Sequence, residues 1–216
     1  LVTTPKIAIA GSGIANVAAT NMTSTDSDAV WTYAYAVPTG DGTGTISLSV
    51  GEDASGNTVT SAPTSGATFT VDNTAPSLTA VTQVPTPSND TTPSFIFSTN
   101  EAGTITSNLA FGGSDSATTG GNLTITFNTL DEGTYTGKTV TVTDAAGNAG
   151  SITMADFVID TTGPTAEISY SSDAPYKNGE TVTITATFTE ALVTTPKIAI
   201  AGSGIANVAA TNMTST

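Results

Sequence analysis

Thr139-Val140-Thr141-Val142-Thr143 alternates apolar and hydroxyl side chains, all β-branched. Successive side chains of an extended chain point to opposite faces, so the segment presents valine to one side and threonine to the other. That pattern predicts a strand with one face in a core and one in water. Asp144-Ala145-Ala146-Gly147-Asn148 follows at once. Asp and Asn beside Gly cap their own backbone and tolerate left-handed geometry, so a turn is expected there. The same alternation returns at Leu123–Phe127, Thr45–Val50 and Thr181–Thr185. Gly, Asn, Asp and Pro clusters separate such segments at intervals of about 8–12 residues, the spacing of a β-sandwich. Helix signals are nearly absent, and the fold class reads as all-β.

Residues 192–216 repeat residues 1–25 without a change: both read LVTTPKIAIAGSGIANVAATNMTST. The offset from residue 1 to residue 192 is 191 positions, so the sequence comes from an array with that period. A weaker repeat lies inside it. Phe69-Thr70-Val71-Asp72-Asn73-Thr74-Ala75-Pro76 matches Phe157-Val158-Ile159-Asp160-Thr161-Thr162-Gly163-Pro164, an apolar strand end followed by Asp-x-Thr-x-Pro. Upstream, Asp53-Ala54-Ser55-Gly56-Asn57 matches Asp144–Asn148. Each period therefore holds two related domains of roughly 90–100 residues, a common sandwich size. Residues 1–74 are expected to be a domain lacking its first two strands. Residues 75–163 are expected to be a complete domain. Residues 164–216 are expected to be the first strands of the next copy of the 1–74 type, with Ala166–Tyr170 as strand A, Thr181–Phe188 as strand B and Lys197–Ala201 as strand C. Lys6–Ala10 is the matching strand C at the start. A split sandwich exposes apolar faces and unpaired edges. Either the chain is a window on a longer continuous polymer, or residues 165–191 of one chain complete residues 26–74 of a neighbour. The duplication favours the first, because under complementation alone one copy is redundant.

Composition narrows the chemistry. The chain has 216 residues, no Cys, no His, four Lys, no Arg and 18 acidic residues, for a net charge of −14. Without His or Cys there is no Ser-His or Cys-His nucleophile and no ordinary zinc site. Four Lys give no electrostatic footprint for nucleic acid. No apolar run reaches the roughly 18 residues of a membrane span. The acid excess suits solubility and hard cations that take oxygen ligands, such as Ca²⁺.

The succession Asp-x-x-Gly-Asn, apolar strand, Asp-x-Thr-x-Pro occurs twice, and it resembles the bacterial immunoglobulin-like tandem repeat domains of giant calcium-stabilised surface adhesins. The resemblance covers essentially the whole chain. It implies seven-stranded immunoglobulin-like sandwiches, a stalk function in the extender region of an adhesin, an extracellular or cell-surface location, and Ca²⁺ near domain junctions. Leu130-Asp131-Glu132-Gly133-Thr134-Tyr135 looks like the E–F turn with a tyrosine corner at Tyr135. The first domain has Gly40-Asp41-Gly42-Thr43 there and no such Tyr.

Topology can place the acids. In a seven-strand sandwich the B–C and F–G loops lie at the pole where the chain enters. Glu101 falls in the B–C position, Asp144 opens the F–G turn, and Asp72 arrives in the linker. These three carboxylates should converge and repel one another, and a Ca²⁺ ion with 6–8 oxygen ligands would resolve the conflict. Asn73, Asn100 and backbone carbonyls could complete the shell. A second junction should use Asp160, Glu190 and Asp53, the last from the next repeat or a neighbouring chain. The plainer reading is that Asp53 and Asp144 only shape hairpins and that Glu101 and Glu190 are solvated. Asp26-Ser27-Asp28 lacks the rest of an EF-hand loop.

Other features weigh less. Trp31, Tyr33 and Tyr35 alternate, which suits a core stripe better than a glycan ladder. Lys138 reads as a strand residue guarding an edge, with an isopeptide to Asn as the sharper alternative. Asn21-Met22-Thr23, Asn89-Asp90-Thr91 and Asn122-Leu123-Thr124 match the glycosylation pattern, which arises easily in an Asn- and Thr-rich chain. The favoured function is a non-catalytic extender stiffened by Ca²⁺, its partners being adjacent copies of the repeat, with any surface or glycan target reached through other domains. The alternatives are a filament or sheath subunit assembled through interchain strand contacts, and a glycan-binding accessory module.

Overall fold

A computed structural model describes residues 1, 3–26 and 29–215. It contains strands and no helix among the described residues. The first six strands are β1 (Lys6–Ser12), β2 (Val17–Asn21), β3 (Thr23–Asp26), β4 (Val30–Thr32), β5 (Gly42–Ser49) and β6 (Thr68–Val71). Then come β7 (Leu78–Thr82), β8 (Ser94–Thr99), β9 (Gly103–Ser107), β10 (Phe111–Gly112) and β11 (Ser116–Ala117). They are followed by β12 (Leu123–Phe127), β13 (Gly133–Tyr135), β14 (Thr139–Thr143), β15 (Ala149–Thr153) and β16 (Phe157–Ile159). The last four are β17 (Ala166–Tyr170), β18 (Ile184–Phe188), β19 (Lys197–Ile200) and β20 (Val208–Asn212). The chain forms two compact units, Leu1–Asp160 and Thr161–Thr216.

Within the first unit, β7 to β16 build an immunoglobulin-like sandwich. One sheet has the order β10-β12-β8-β7, and the facing sheet β11-β9-β14-β15. In immunoglobulin lettering β12-β8-β7 take the E-B-A places and β11-β9-β14-β15 the C′-C-F-G places, while β10 extends the first sheet beside β12 although it precedes β11 in the chain. Register decides what is inside. Ile125 stands opposite Phe95, and Val142 opposite Ile105, so the apolar side chains of neighbouring strands share one face. Phe95, Phe97, Ile125 and Phe127 of the first sheet meet Ile105, Val140 and Val142 of the second, and all are buried. Val84, Leu130, Met154, Phe157 and Ile159 complete that core. On the wet faces the hydroxyls pair across strands, Ser94 with Thr126 at 2.9 Å and Thr141 with Ser151 at 2.7 Å. Tyr135 donates its hydroxyl to the Asp131 carbonyl at 2.8 Å, which is the tyrosine corner, and its ring stacks on Phe157.

Residues 1–74 contribute a sheet of order β2-β1-β5-β6, the counterpart of C′-C-F-G. Ile7 faces Leu48 and Ile9 faces Ile46 across β1 and β5, and both β1 isoleucines are buried. Gly44 pairs with Phe69 across β5 and β6, and a Cβ on Gly44 would lie 2.5 Å from the Phe69 ring. Trp31, Tyr33 and Tyr35 are each half-buried and the residues between them exposed, although β4 ends at Thr32. Tyr35 meets Phe69 edge-on at 5.4 Å and donates to the Ala15 carbonyl, so its ring belongs to packing.

The second unit holds two two-stranded sheets, β17-β18 and β19-β20, among the described residues. Leu123–Phe127 and Thr139–Thr143 coincide with strands, but other boundaries differ. Val50 leaves β5 with a positive φ of 59° ahead of Gly51 at 84°, a turn that ends the alternation. β18 starts at Ile184; just before it the Ser171 hydroxyl accepts the Thr183 N–H, while the Ser171 N–H donates to the Thr183 carbonyl. Lys138 lies one residue before β14, with its ammonium 5.9 Å from the centre of the Tyr135 ring. Ser27 and Asp28 of the Asp26–Asp28 run lie outside the described residues. Among the described residues no helix is long and apolar enough to cross a membrane.

Candidate metal centre

The linker Asp72–Ser77 passes from β6 into β7, and both sides hold it. Toward residues 1–74, Asp41 accepts the Asn73 N–H and the Thr74 hydroxyl, while the Asn73 amide donates to the Pro38 and Gly40 carbonyls. Toward the β7–β16 sandwich, Asn100 accepts the Ser77 N–H on its side-chain oxygen at 2.6 Å and donates its own N–H to the Ser77 carbonyl. Asn148 donates its side-chain amide to the Asp72 carbonyl at 3.1 Å. Gly150 lets the linker approach closely: a Cβ there would lie 1.7 Å from the Pro76 carbonyl oxygen.

This docking brings Asp72, Glu101 and Asp144 together. Each offers a carboxylate oxygen, and the three oxygens lie within 4.8 Å of one another. Among the described residues it is the one such group of three or more acids. Asp72 is exposed, and Glu101 and Asp144 are half-buried. They come from the linker, the β8–β9 turn and the β14–β15 turn, as the sandwich topology requires. The hydrogen-bond donors to these carboxylates are neutral. Asp72 accepts the Thr74 N–H, and Glu101 accepts from the Asn100 amide at 3.3 Å. Asp144 accepts the N–H groups of Ala146 and Asn148 on one oxygen and the Asn148 amide on the other. Desolvation raises the Asp144 pKa, but the bonds from the Asn148 side chain and from the Asn148, Ala146 and Gly147 backbones outweigh it, and the net shift is downward. Asp144 is therefore held as an anion.

The turn around Asp53 separates what the hairpin does from what the junction adds. Asp53 accepts the Ser55 and Asn57 N–H groups and the Asn57 amide, bond for bond the pattern at Asp144. It too is shifted down, first by the Asn57 side chain and then by the Asn57 backbone. Gly56 and Gly147 take matching positive φ values of 86° and 95°. The hairpin alone thus explains the local bonds of both aspartates. The two further acids and the Asn148–Asp72 bond are particular to Asp144.

Of the residues proposed for the first junction, Asn100 points into it and Asn73 is turned away toward Pro38 and Gly40. For the second, Asp53 sits in its own hairpin, Asp160 ends the first unit and Glu190 lies in the second. Sequence reasoning assigned no role to Asn148 or Asp41, which clasp the linker together with Asn100. The signal for Asn148 was present in the Asp-x-x-Gly-Asn motif, whose final Asn is spaced to reach back to its Asp. Asp41 carried none, because its partners are more than thirty positions away.

The donor set is three carboxylates, all oxygen, which suits Ca²⁺ and not a soft metal. Residues 67–161 match the family described as Bacterial Ig-like domain, a span that contains Asp72, Glu101 and Asp144. This stretch is similar to bacterial Ig-like domains, and the chain is all-β with immunoglobulin-like architecture. A comparison with curated proteins finds no match to the chain.

Proposed function

We propose that the chain is a non-catalytic extender of a bacterial cell-surface adhesin, and that Ca²⁺ bound by Asp72, Glu101 and Asp144 rigidifies the interdomain linker outside the cell. The observation that supports this most is the meeting of three carboxylates from three separated segments at the linker. Like charges brought this close repel unless a cation lies between them. The ion would tie the linker to two loops of the following domain and so restrict bending at the joint. Asn148, Asn100 and Asp41 already hold the same segment from both sides, and Pro76 restricts its backbone. The repeating unit in this reading is a pair of domains divided near residues 74 and 163. Asp160 and Glu190 serve the second joint together with Asp53 of an adjacent copy.

Melting followed by calorimetry with and without calcium tests the proposal. Extracellular calcium modules bind at about 10⁻⁴–10⁻³ M. At a hundredfold excess over Kd the bound ion adds about 2.7 kcal/mol, which raises Tm by roughly 5–10 °C in a chain of this size. Glu101→Gln and Asp144→Asn should each remove most of that rise. An unchanged Tm between chelator and 10 mM Ca²⁺ would sink the calcium reading.

A further inference from the structure

Two sets of bonds meet on the linker, and they face opposite ways. The three clustered carboxylates belong to the linker or to the β7–β16 sandwich, Asp72 to the former and Glu101 and Asp144 to the latter. Asn100 and Asn148 reach the linker from the same side. An ion held there ties Asp72 to the sandwich. By covalent connection alone, the β2-β1-β5-β6 sheet meets that group through the backbone that leaves Val71, the last residue of β6. Each residue of such a connection keeps two soft dihedrals, so an anchored Asp72 would still leave the sheet free to turn about it.

Asp41 fills that gap. It stands one residue before β5, and Gly42 of β5 pairs with Val71 of β6, so Asp41 lies beside the point where the chain leaves the sheet. One of its carboxylate oxygens accepts the Asn73 N–H and the other the Thr74 hydroxyl. The Asn73 amide donates in return to the Pro38 carbonyl at 3.3 Å and the Gly40 carbonyl at 2.9 Å. Thr74 is shared, because its N–H goes to Asp72 while its hydroxyl goes to Asp41. The turn that carries Asp41 is itself firmly seated. A Cβ on Gly40 would lie 2.2 Å from the Gly13 carbonyl oxygen, and one on Gly42 would lie 1.9 Å from that of Ser12. Glycine on either side of Asp41 thus lets the turn press backbone on backbone against the end of β1, where any side chain would hold it off. Asp41 does not belong to the group of three acids, and both its oxygens are engaged by the linker.

We infer that Asp41 is the positioning residue that fixes the β2-β1-β5-β6 sheet on the linker, and that bending at this joint is governed by its clasp and not by the ion. The joint is locked in two halves. The acid cluster, with Asn100 and Asn148, holds the linker to the sandwich that follows. Asp41, with Asn73 and Thr74, holds it to the sheet that precedes. The first half rests on the calcium reading above, and the second does not. The two halves have separable effects. Asp41 sets bending and leaves ion affinity alone, whereas Glu101 sets affinity and leaves the Asp41 clasp intact.

The chain has no Cys, so a pair of nitroxide labels can be placed without background. Ser47→Cys on β5 and Thr124→Cys on β12, both exposed, put one label on each side of the linker in the full chain. The width of their distance distribution, measured by pulsed electron resonance, reads bending. Asp41→Ala should widen it about twofold in chelator and equally in saturating Ca²⁺. The same variant should keep the calcium Kd within about threefold of the parent. Glu101→Gln should weaken Kd by at least about tenfold and leave the width in chelator unchanged. Thr74→Val leaves the Asp41 turn untouched and removes the hydroxyl that Asp41 holds, so it should widen the distribution too. Combining it with Asp41→Ala should add little, because both changes remove the same bond. A width that Ca²⁺ restores in Asp41→Ala would assign the joint to the ion and overturn the proposal, as would an unchanged width in both variants. If the parent binds no calcium, the calcium reading falls, and widening in chelator still upholds the clasp.

Discussion

Three aspartates, Asp41, Asp53 and Asp144, are held below the usual carboxylate range by their hydrogen bonds. Asp41 is shifted down first by the Thr74 hydroxyl and then by the Asn73 N–H, and Asp53 and Asp144 by their Asn partners. For Asp144 desolvation works the other way and is overcome. A carboxyl whose folded pKa lies below its unfolded 3.8 stabilises the fold above that pH. The contribution is lost as pH falls through the folded value, because the unfolded chain then binds the proton more readily. In chelator, Tm should be flat above about pH 5 and should fall below about pH 4. Asn at all three positions should flatten the acid limb, and a wild-type Tm unchanged down to pH 2 would contradict the assignment. Tyr135 is a second single-residue test. Tyr135→Phe keeps the stack on Phe157 and loses the bond to the Asp131 carbonyl, which should cost about 1 kcal/mol in urea unfolding.

At the scale of elements, legibility followed the range of the interaction. Leu123–Phe127 and Thr139–Thr143 were readable because an alternating strand carries its own register, and the topology that brings Asp72, Glu101 and Asp144 together follows from strand order. The linker clasp was not readable. Asn148 reaches Asp72 across 76 positions and Asp41 reaches Thr74 across 33, and neither partner marks the other in sequence. The end of β5 was missed because the Val50 side chain extends the apolar alternation while its backbone has already turned. Gly150 is the sharpest probe of the docked linker. It lies in β15, where alanine would ordinarily be tolerated, but a Cβ meets the Pro76 carbonyl. Gly150→Ala should cost about 1–3 kcal/mol, the range of an overpacked contact, and under the calcium proposal it should also reduce the rise in Tm on adding Ca²⁺. Gly121→Ala, at an open position, serves as the neutral control.

The molecule as a whole is unevenly built. The main buried cluster, from Val84 to Ile159, belongs to one domain, whereas Ile7, Ile9 and Val71 are the buried apolar residues of the 1–74 region. Local stability follows packing, so the chain should open in parts and not all at once. Amide exchange resolves this by segment. The slowest amides should be those of β8, β9, β12 and β14, whose side chains form the phenylalanine and valine layers. Phe97→Ala should speed them through global opening, at a cost of about 3–5 kcal/mol. Amides of β17 to β20 should exchange within seconds in dilute solution, because two-stranded sheets are marginal without a covering layer. Here the two copies of one sequence give a contrast free of composition. Ile7 and Ile198 have the same neighbours in sequence and differ only in what covers them. In dilute solution the β1 amides should exchange more slowly than the β19 amides. Equal rates for the two copies would mean that covering by β5 does not govern local stability.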